Sequence, residues 1–182
     1  MEYKQDLSET EIFPIVDPEG NVVGKATRKE CHSGSRLLHP VVHLHVFDNE
    51  GRLFLQQRAI TKFIQPGKWD TAVGGHRDYG ETVEEALLRE AREEIGISSF
   101  TPIKLFHYVY DSCVERELVD TFYTITDQKE FKCDPEEVIE GRFWTVSEIM
   151  DVIGKGVLTP NFEDEFRQIL PHIATIFPHL AG

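Results

Sequence analysis

Cysteine is scarce in this chain: three in 182 residues, Cys31, Cys113 and Cys133, an odd number, widely spaced and with no CxxC pair. That scarcity excludes a disulfide-built scaffold, and free, reduced thiols are expected. Long apolar runs are also missing, and none approaches the roughly 18–20 residues of a membrane span. The opening segment MEYKQDLSETEIF has neither the basic nor the apolar stretch of a secretion signal. These absences lead to the expectation of a soluble, cytoplasmic protein with no membrane partner. Positive charge is short as well, with 19 Lys and Arg against 32 Asp and Glu and a net charge of −13. A field of that sign repels phosphate backbones and argues against nucleic-acid polymers as partners. An anionic substrate would need a local basic patch or bridging metal ions.

What is present suffices for one core: 40% hydrophobic residues and 28% charged, in a length that suits a single domain over 1–182. IFPIV and NVVGKA flank the turn-rich Asp17-Pro18-Glu19-Gly20, which predicts a hairpin over about 11–27. VVHLHVF and RLFLQQ, around Asp48-Asn49-Glu50-Gly51, predict a second hairpin. WDTAV reads as a short strand ending at Gly74-Gly75. The clearest helix follows. Thr82 and Glu85 form a capping box, Val83, Leu87, Ala91 and Ile95 make one apolar stripe, and Gly96 is placed to end it. IKLFHYVY, LVDTFYTIT and VIEGRFW read as further strands. Ser147 is placed to start a short helix through Ile153, and Thr159-Pro160 to open a last helix over about 160–177, bent or broken near Pro171. Hairpin strands mixed with a few helices imply an α/β sandwich on a mixed sheet rather than a doubly wound parallel one.

The clearest helix carries Glu90, Glu93 and Glu94 at adjacent positions on one side, where like charges repel unless a hard cation such as Mg²⁺ joins them. For the segment from Arg89 to Glu94 alone, a solvated helix with Glu85–Arg89 and Arg89–Glu93 pairs is the commoner explanation. The longer frame changes that balance. Gly75, Glu81, Arg89-Glu90, Glu93-Glu94 and Gly96 reproduce the Nudix box over 75–97, a match expected by chance on the order of 10⁻⁸ per start point. Ala91 is the one soft position, where the family more often has a larger aliphatic residue. The chain therefore resembles the Nudix hydrolases. The resemblance implies an α/β/α sandwich and a loop–helix–loop that holds Mg²⁺ or Mn²⁺ against a diphosphate. Glu90, Glu93 and Glu94 would be the catalytic metal carboxylates, and Gly75, Glu81, Arg89 and Gly96 the structural members of the box. Metal ions so placed neutralise phosphate oxygens and acidify a bound water. The box leaves open which group is the general base.

Eight histidines are many for this length. His32 and His39 lie seven apart, His76 directly follows Gly75, and Glu115 and Glu117 share a side at the period of a strand. Three imidazoles and two carboxylates suit a transition metal such as Mn²⁺, Fe²⁺ or Zn²⁺. Taken singly, each histidine reads as a surface or core-edge residue, and His43 and His45 keep that reading. From Phe13 to about Pro160 the chain also resembles the type I isopentenyl-diphosphate isomerase branch of the superfamily, whose loop before the Nudix helix is similar to GKWDTAVGGH. That resemblance places His32, His39, His76, Glu115 and Glu117 on five metal-ligand positions of a second site. It places Arg58 and Lys62 on diphosphate-contacting positions. The departures point away from isomerase chemistry. Gly74 stands where isomerases carry an acid–base cysteine and has no proton to give. No tryptophan occurs around Thr159-Pro160-Asn161-Phe162 to stabilise a carbocation, and Glu90 is kept where isomerases often have a basic residue. The expectation is a Mg²⁺-dependent hydrolase acting on a small phosphorylated substrate, a nucleoside diphosphate derivative or a related organic diphosphate. An isomerase and a silent diphosphate-binding module are the alternatives. Phe63, Trp69, Tyr79 and Tyr110 are candidates to stack on a base or prenyl chain, or ordinary core and rim residues. The N-terminal hairpin and last helix are candidate homodimer surfaces.

Overall fold

Asp17 closes the first turn by accepting hydrogen bonds from the backbone of Glu19 and Asn21. On either side of it, β1 (Ile12–Val16) and β2 (Val22–Thr27) pair antiparallel, the hairpin read from the sequence. A computed structural model describes residues 10–62 and 64–180. A single helical turn, α1 (Arg28–Cys31), follows the hairpin, and Thr27 with Glu30 forms its capping box.

The second hairpin, β3 (Leu38–Asp48) and β4 (Leu53–Arg58), is paired only near its turn, Val46 with Phe54 and Phe47 with Leu53. Beyond that point the strands part and each collects its own partners. β4 takes β5 (Trp69–Thr71) and β9 (Val138–Trp144), both antiparallel. β3 takes β6 (Val73–His76) antiparallel and β8 (Arg116–Thr126) parallel, and β8 pairs with β7 (Ile103–Asp111). The sheet is mixed, as expected. One boundary differs: WDTAV breaks at Ala72, and its second half runs through Gly74 and Gly75 to His76 instead of ending there. Backbone pairing with β3 carries the glycines along, since it needs no side chain from them.

Successive residues of β3 face opposite sides of the sheet. Val42, Leu44 and Val46 pack with Ala86, Leu87, Ala91 and Ile95 of α2 (Val83–Ile95). Phe47 packs on the other side with Leu53, Trp69 and Trp144 and with Phe162, Phe166, Ile169 and Ile173 of α4 (Pro160–Ile176). This is the expected α/β/α sandwich. Two helix expectations are corrected. α3 (Val146–Val152) is capped by Thr145 with Glu148, not by Ser147, because only the Thr145 spacing completes a capping box. α4 continues unbroken through Pro171, whose ring lies on the exposed side, while Phe166 and Ile173 anchor both halves to the sheet. The apolar stripe of α4 is therefore buried within the chain and unavailable to a dimer. Among the described residues no helix is long and apolar enough to cross a membrane.

Candidate active site

The box residues meet beside the gap between β4 and β6. Thr82 and Glu85 start α2, and Gly96, at φ 69°, stops it in the left-handed region that glycine tolerates. Gly75 of β6 lies so near α2 that a Cβ there would sit 2.0 Å from the Glu90 carboxyl carbon. Arg89 braces the site. Its Nε and Nη2 donate to the two Glu81 oxygens at 2.7 and 2.9 Å, Nη2 also donates to the His76 carbonyl at 3.0 Å, and Nη1 donates to Glu90 Oε1 at 2.8 Å. Glu81 in turn accepts from the Asp78 N–H. Glu94 Oε2 accepts from Gln56 of β4 at 2.8 Å and from the Gly74 N–H at 3.3 Å, so it spans the gap between the two strands. Burial pushes Glu94 up to about 8, with the Glu90 charge adding to it, and raises Glu90 to about 7 against the pull of Arg89. Glu93 stands apart, 56% exposed and 3.4 Å from Arg89 Nη1. The fold thus draws Glu90 and Glu94 inward and leaves Glu93 at the rim.

A second cluster forms where α1, β3, β6 and β8 converge. One ligand atom from each of His32, His39, His76 and Glu117 lies within 4.8 Å of all the others. The Nε2 atoms of His39 and His76 are buried without a hydrogen-bond partner, and His32 Nε2 faces Glu115 Oε2 at 3.1 Å. His39 Nδ1 donates to the Leu37 carbonyl at 3.0 Å, which turns its Nε2 lone pair toward the cluster. Phe13 stacks on His76 at 4.5 Å and on His39 at 5.7 Å. Burial pushes His76 down to about 3 and lowers His39, which favours the neutral imidazole in both, and it raises Glu117 to about 7 with help from Glu115. Orphaned, convergent nitrogens beside a carboxylate fit a borderline cation. Glu115 lies outside the tight group but reaches it through His32, 3.1 Å away, and that contact lowers its pKa. His32 is positioned by the α1 capping box, for which the Thr27-x-x-Glu30 spacing was the available signal.

Arg58 and Lys62 are both already paired. Arg58 reaches Asp70 at 3.3 Å and donates to the Ile64 carbonyl, and Lys62 pairs with Glu137. Of the aromatic candidates, Trp69 is core, set edge-on to Trp144, Tyr79 is exposed beneath Lys25, and Tyr110 is half-buried. Phe63 lies outside the described residues. The reading of His43 and His45 as surface or core-edge residues is corrected. Both are buried on the α4 side of β3 and both bond to Glu165, which is 0% exposed. Glu165 also accepts from Thr121 at 2.9 Å and from Tyr108 at 2.7 Å. The signal for this network was a glutamate at the i+3 position of an apolar helical stripe, Phe162-x-x-Glu165, opposite two histidines on one strand face.

The NUDIX domain family profile matches residues 37–168. An uncharacterized Nudix hydrolase of Streptomyces coelicolor is 34% identical over 155 residues, covering 85% of each chain. An isopentenyl-diphosphate Delta-isomerase of Streptomyces griseus is 32% identical over 150 residues, 79% of this chain and 76% of that one. Among solved structures, the protein DR0079 of Deinococcus radiodurans superposes with a TM-score of 0.75 at 23% identity, over 87% of this chain and 98% of that one, a likeness of fold. With the box geometry and a family match over most of its length, this chain belongs to the Nudix family, on the branch where Nudix hydrolases and isopentenyl-diphosphate isomerases meet.

Proposed function

We propose that the chain is a hydrolase that cleaves the diphosphate bond of a nucleoside diphosphate derivative or a related organic diphosphate, and that it depends on Mg²⁺ or Mn²⁺. The observation that carries this reading is the half-buried pair Glu90 and Glu94, two carboxyls that ionise together only with more positive charge than Arg89 supplies. Glu90, Glu93 and Glu94 would hold the cation, which supplies charge neutralisation for phosphate oxygens and an acidified water. Arg89 and Glu81 hold Glu90 in place, and Gln56 with the Gly74 N–H fixes one Glu94 oxygen and leaves Oε1 for the cation. His32, His39, His76 and Glu117, with Glu115 beside them, would hold a second, transition-metal ion. Arg58 and Lys62 would exchange Asp70 and Glu137 for the more highly charged phosphates of the substrate.

A phosphate-release screen over nucleotide sugars, nucleoside triphosphates, dinucleoside polyphosphates and prenyl diphosphates, with and without Mg²⁺, tests the reading. Glu93→Gln and Glu94→Gln should each lower kcat by about 10²-fold or more with the fold retained. Unchanged turnover in both variants overturns it. Isomerisation of isopentenyl diphosphate is the second reading. The isomerase relatives favour it and Gly74 opposes it, and uptake of deuterium from D₂O into the product would restore it.

A further inference from the structure

His43 has no task in the hydrolase reading, yet the fold aims it at the site. It pairs with Gly74 across the β3–β6 ladder, so its side chain and the missing side chain of Gly74 share one face of the sheet. His39 and Glu117 lie on the same face, and His76 is two residues along β6 from Gly74, about 7 Å away. The ring is clamped from behind, its Nδ1 2.6 Å from Glu165 Oε2. Glu165 accepts three further hydrogen bonds, from His45, Thr121 and Tyr108, which leaves its carboxylate little freedom to turn. The other ring nitrogen, Nε2, makes no hydrogen bond among the described residues although His43 is only 8% exposed. A Cβ on Gly74 would stand 3.3 Å from it, so the glycine keeps open the space that Nε2 faces.

The groups that bear on His43 are Glu165 of α4, Asp70 of β5 and Glu117 of β8. Against the penalty of burial they hold the imidazole up to about 9, so at neutral pH Nε2 carries a proton and has no lone pair for a metal. The Gly74 N–H donates to Glu94 Oε2 at 3.3 Å, so the residue opposite His43 also touches a Nudix carboxylate. A nearly buried cation with one unused N–H facing the space beside Gly74 matches a phosphate oxyanion. We propose that His43 is a substrate-contacting residue whose Nε2–H, through the space left by Gly74, donates to a phosphate oxygen of the bound diphosphate, with Glu165 as the positioning residue behind it. The proposal rests on the diphosphate reading above.

Methylenediphosphonate, which cannot be hydrolysed, serves as the probe, with calorimetry in excess Mg²⁺. His43→Asn keeps a donor for Glu165 but deletes Nε2–H, and Gly74→Ala narrows the space. Each should weaken probe binding at least tenfold. In the wild type, the ¹⁵N resonance of His43 Nε2, assigned by its loss in His43→Asn, should shift when the probe is added with Mg²⁺. Glu165→Gln should weaken the probe and lower the pH at which the His43 ring resonances titrate in the free protein, which a role in packing alone would leave in place. Unweakened binding in His43→Asn and Gly74→Ala, with no Nε2 shift, overturns the proposal. If Glu93→Gln is inactive in that case, the hydrolase reading stands without it. A wild type that neither binds the probe nor releases phosphate from any diphosphate overturns both. Should His43→Asn fail to fold, Gly74→Ala and the wild-type resonance decide the question.

Discussion

Burial penalises charge at Glu94 and at His43 alike, yet the two groups end in opposite states because their neighbours differ. Glu94 sits near Glu90 and Asp70 and is pushed up to about 8, toward the neutral acid. His43 sits against Glu165 and is raised to about 9, toward the cation, while Glu165 is held well below its ordinary range by the two histidines despite its burial. The raised imidazole contributes stability that is fully present below pH 6.5 and is lost as pH rises through about 9. The depressed carboxylate contributes stability present above pH 4.5 and lost as pH falls through its folded value. The pair therefore stabilises the fold most between about pH 4.5 and 6.5, with the His43 share on the order of 3 kcal/mol. Urea unfolding of the wild type and His43→Asn should show their largest difference near pH 6 and a smaller one by pH 9.5. A difference that stays level across that range would show that the pair is not ionic. Sequence spacing made Glu81, Arg89 and Glu90 legible because they lie within one loop and one helix. It could not supply the partner of His43, which is 122 residues away.

At the scale of elements, the closeness of β6 to α2 sets the site. A side chain at Gly75 must displace the Glu90 carboxyl or push β6 off β3, since a Cβ would stand 2.3 Å from both carboxyl oxygens. Gly75→Ala is expected to lower Mg²⁺-dependent turnover at least tenfold while circular dichroism still reports a folded protein. Normal kcat in that variant would make the position of Glu90 unimportant. The start of α2 was legible because the capping box of Thr82 and Glu85 is complete within four residues, whereas the same signal at Thr27 and at Thr145 was passed over. Helix continuation was not legible. Pro171 reads locally as a bend or break, but Phe166, Ile169 and Ile173 bury on one sheet face and α4 continues past it as one helix. The splaying of β3 from β4 was equally hidden, because a hairpin signal fixes the turn and says nothing of the partners each strand later finds.

For the whole molecule, the net charge of −13 is a property that bound cations modify. Two clusters are expected to take them, the Nudix carboxylates and the imidazoles of His32, His39 and His76. Protein stripped with a chelator should gain thermal stability on adding Mg²⁺ and gain further on adding Mn²⁺ or Zn²⁺, by about 2.7 kcal/mol at a hundredfold excess over Kd. His76→Gln should keep the Mg²⁺ gain and lose the transition-metal gain, as read by Tm and by native mass spectrometry. Equal gains in the wild type and the variant would take the metal away from the histidines. The sequence alone determined the box, the helix that carries it, the hairpin turns and the acidic balance, because each depends on residues a few positions apart or on composition. The tertiary structure alone decided that Glu93 stays at the rim while Glu94 turns inward, that Arg58 and Lys62 are already paired, and that His43 faces Gly74 with Glu165 behind it. Those outcomes depend on burial and on contacts between distant segments, and neither exists until the sheet is assembled.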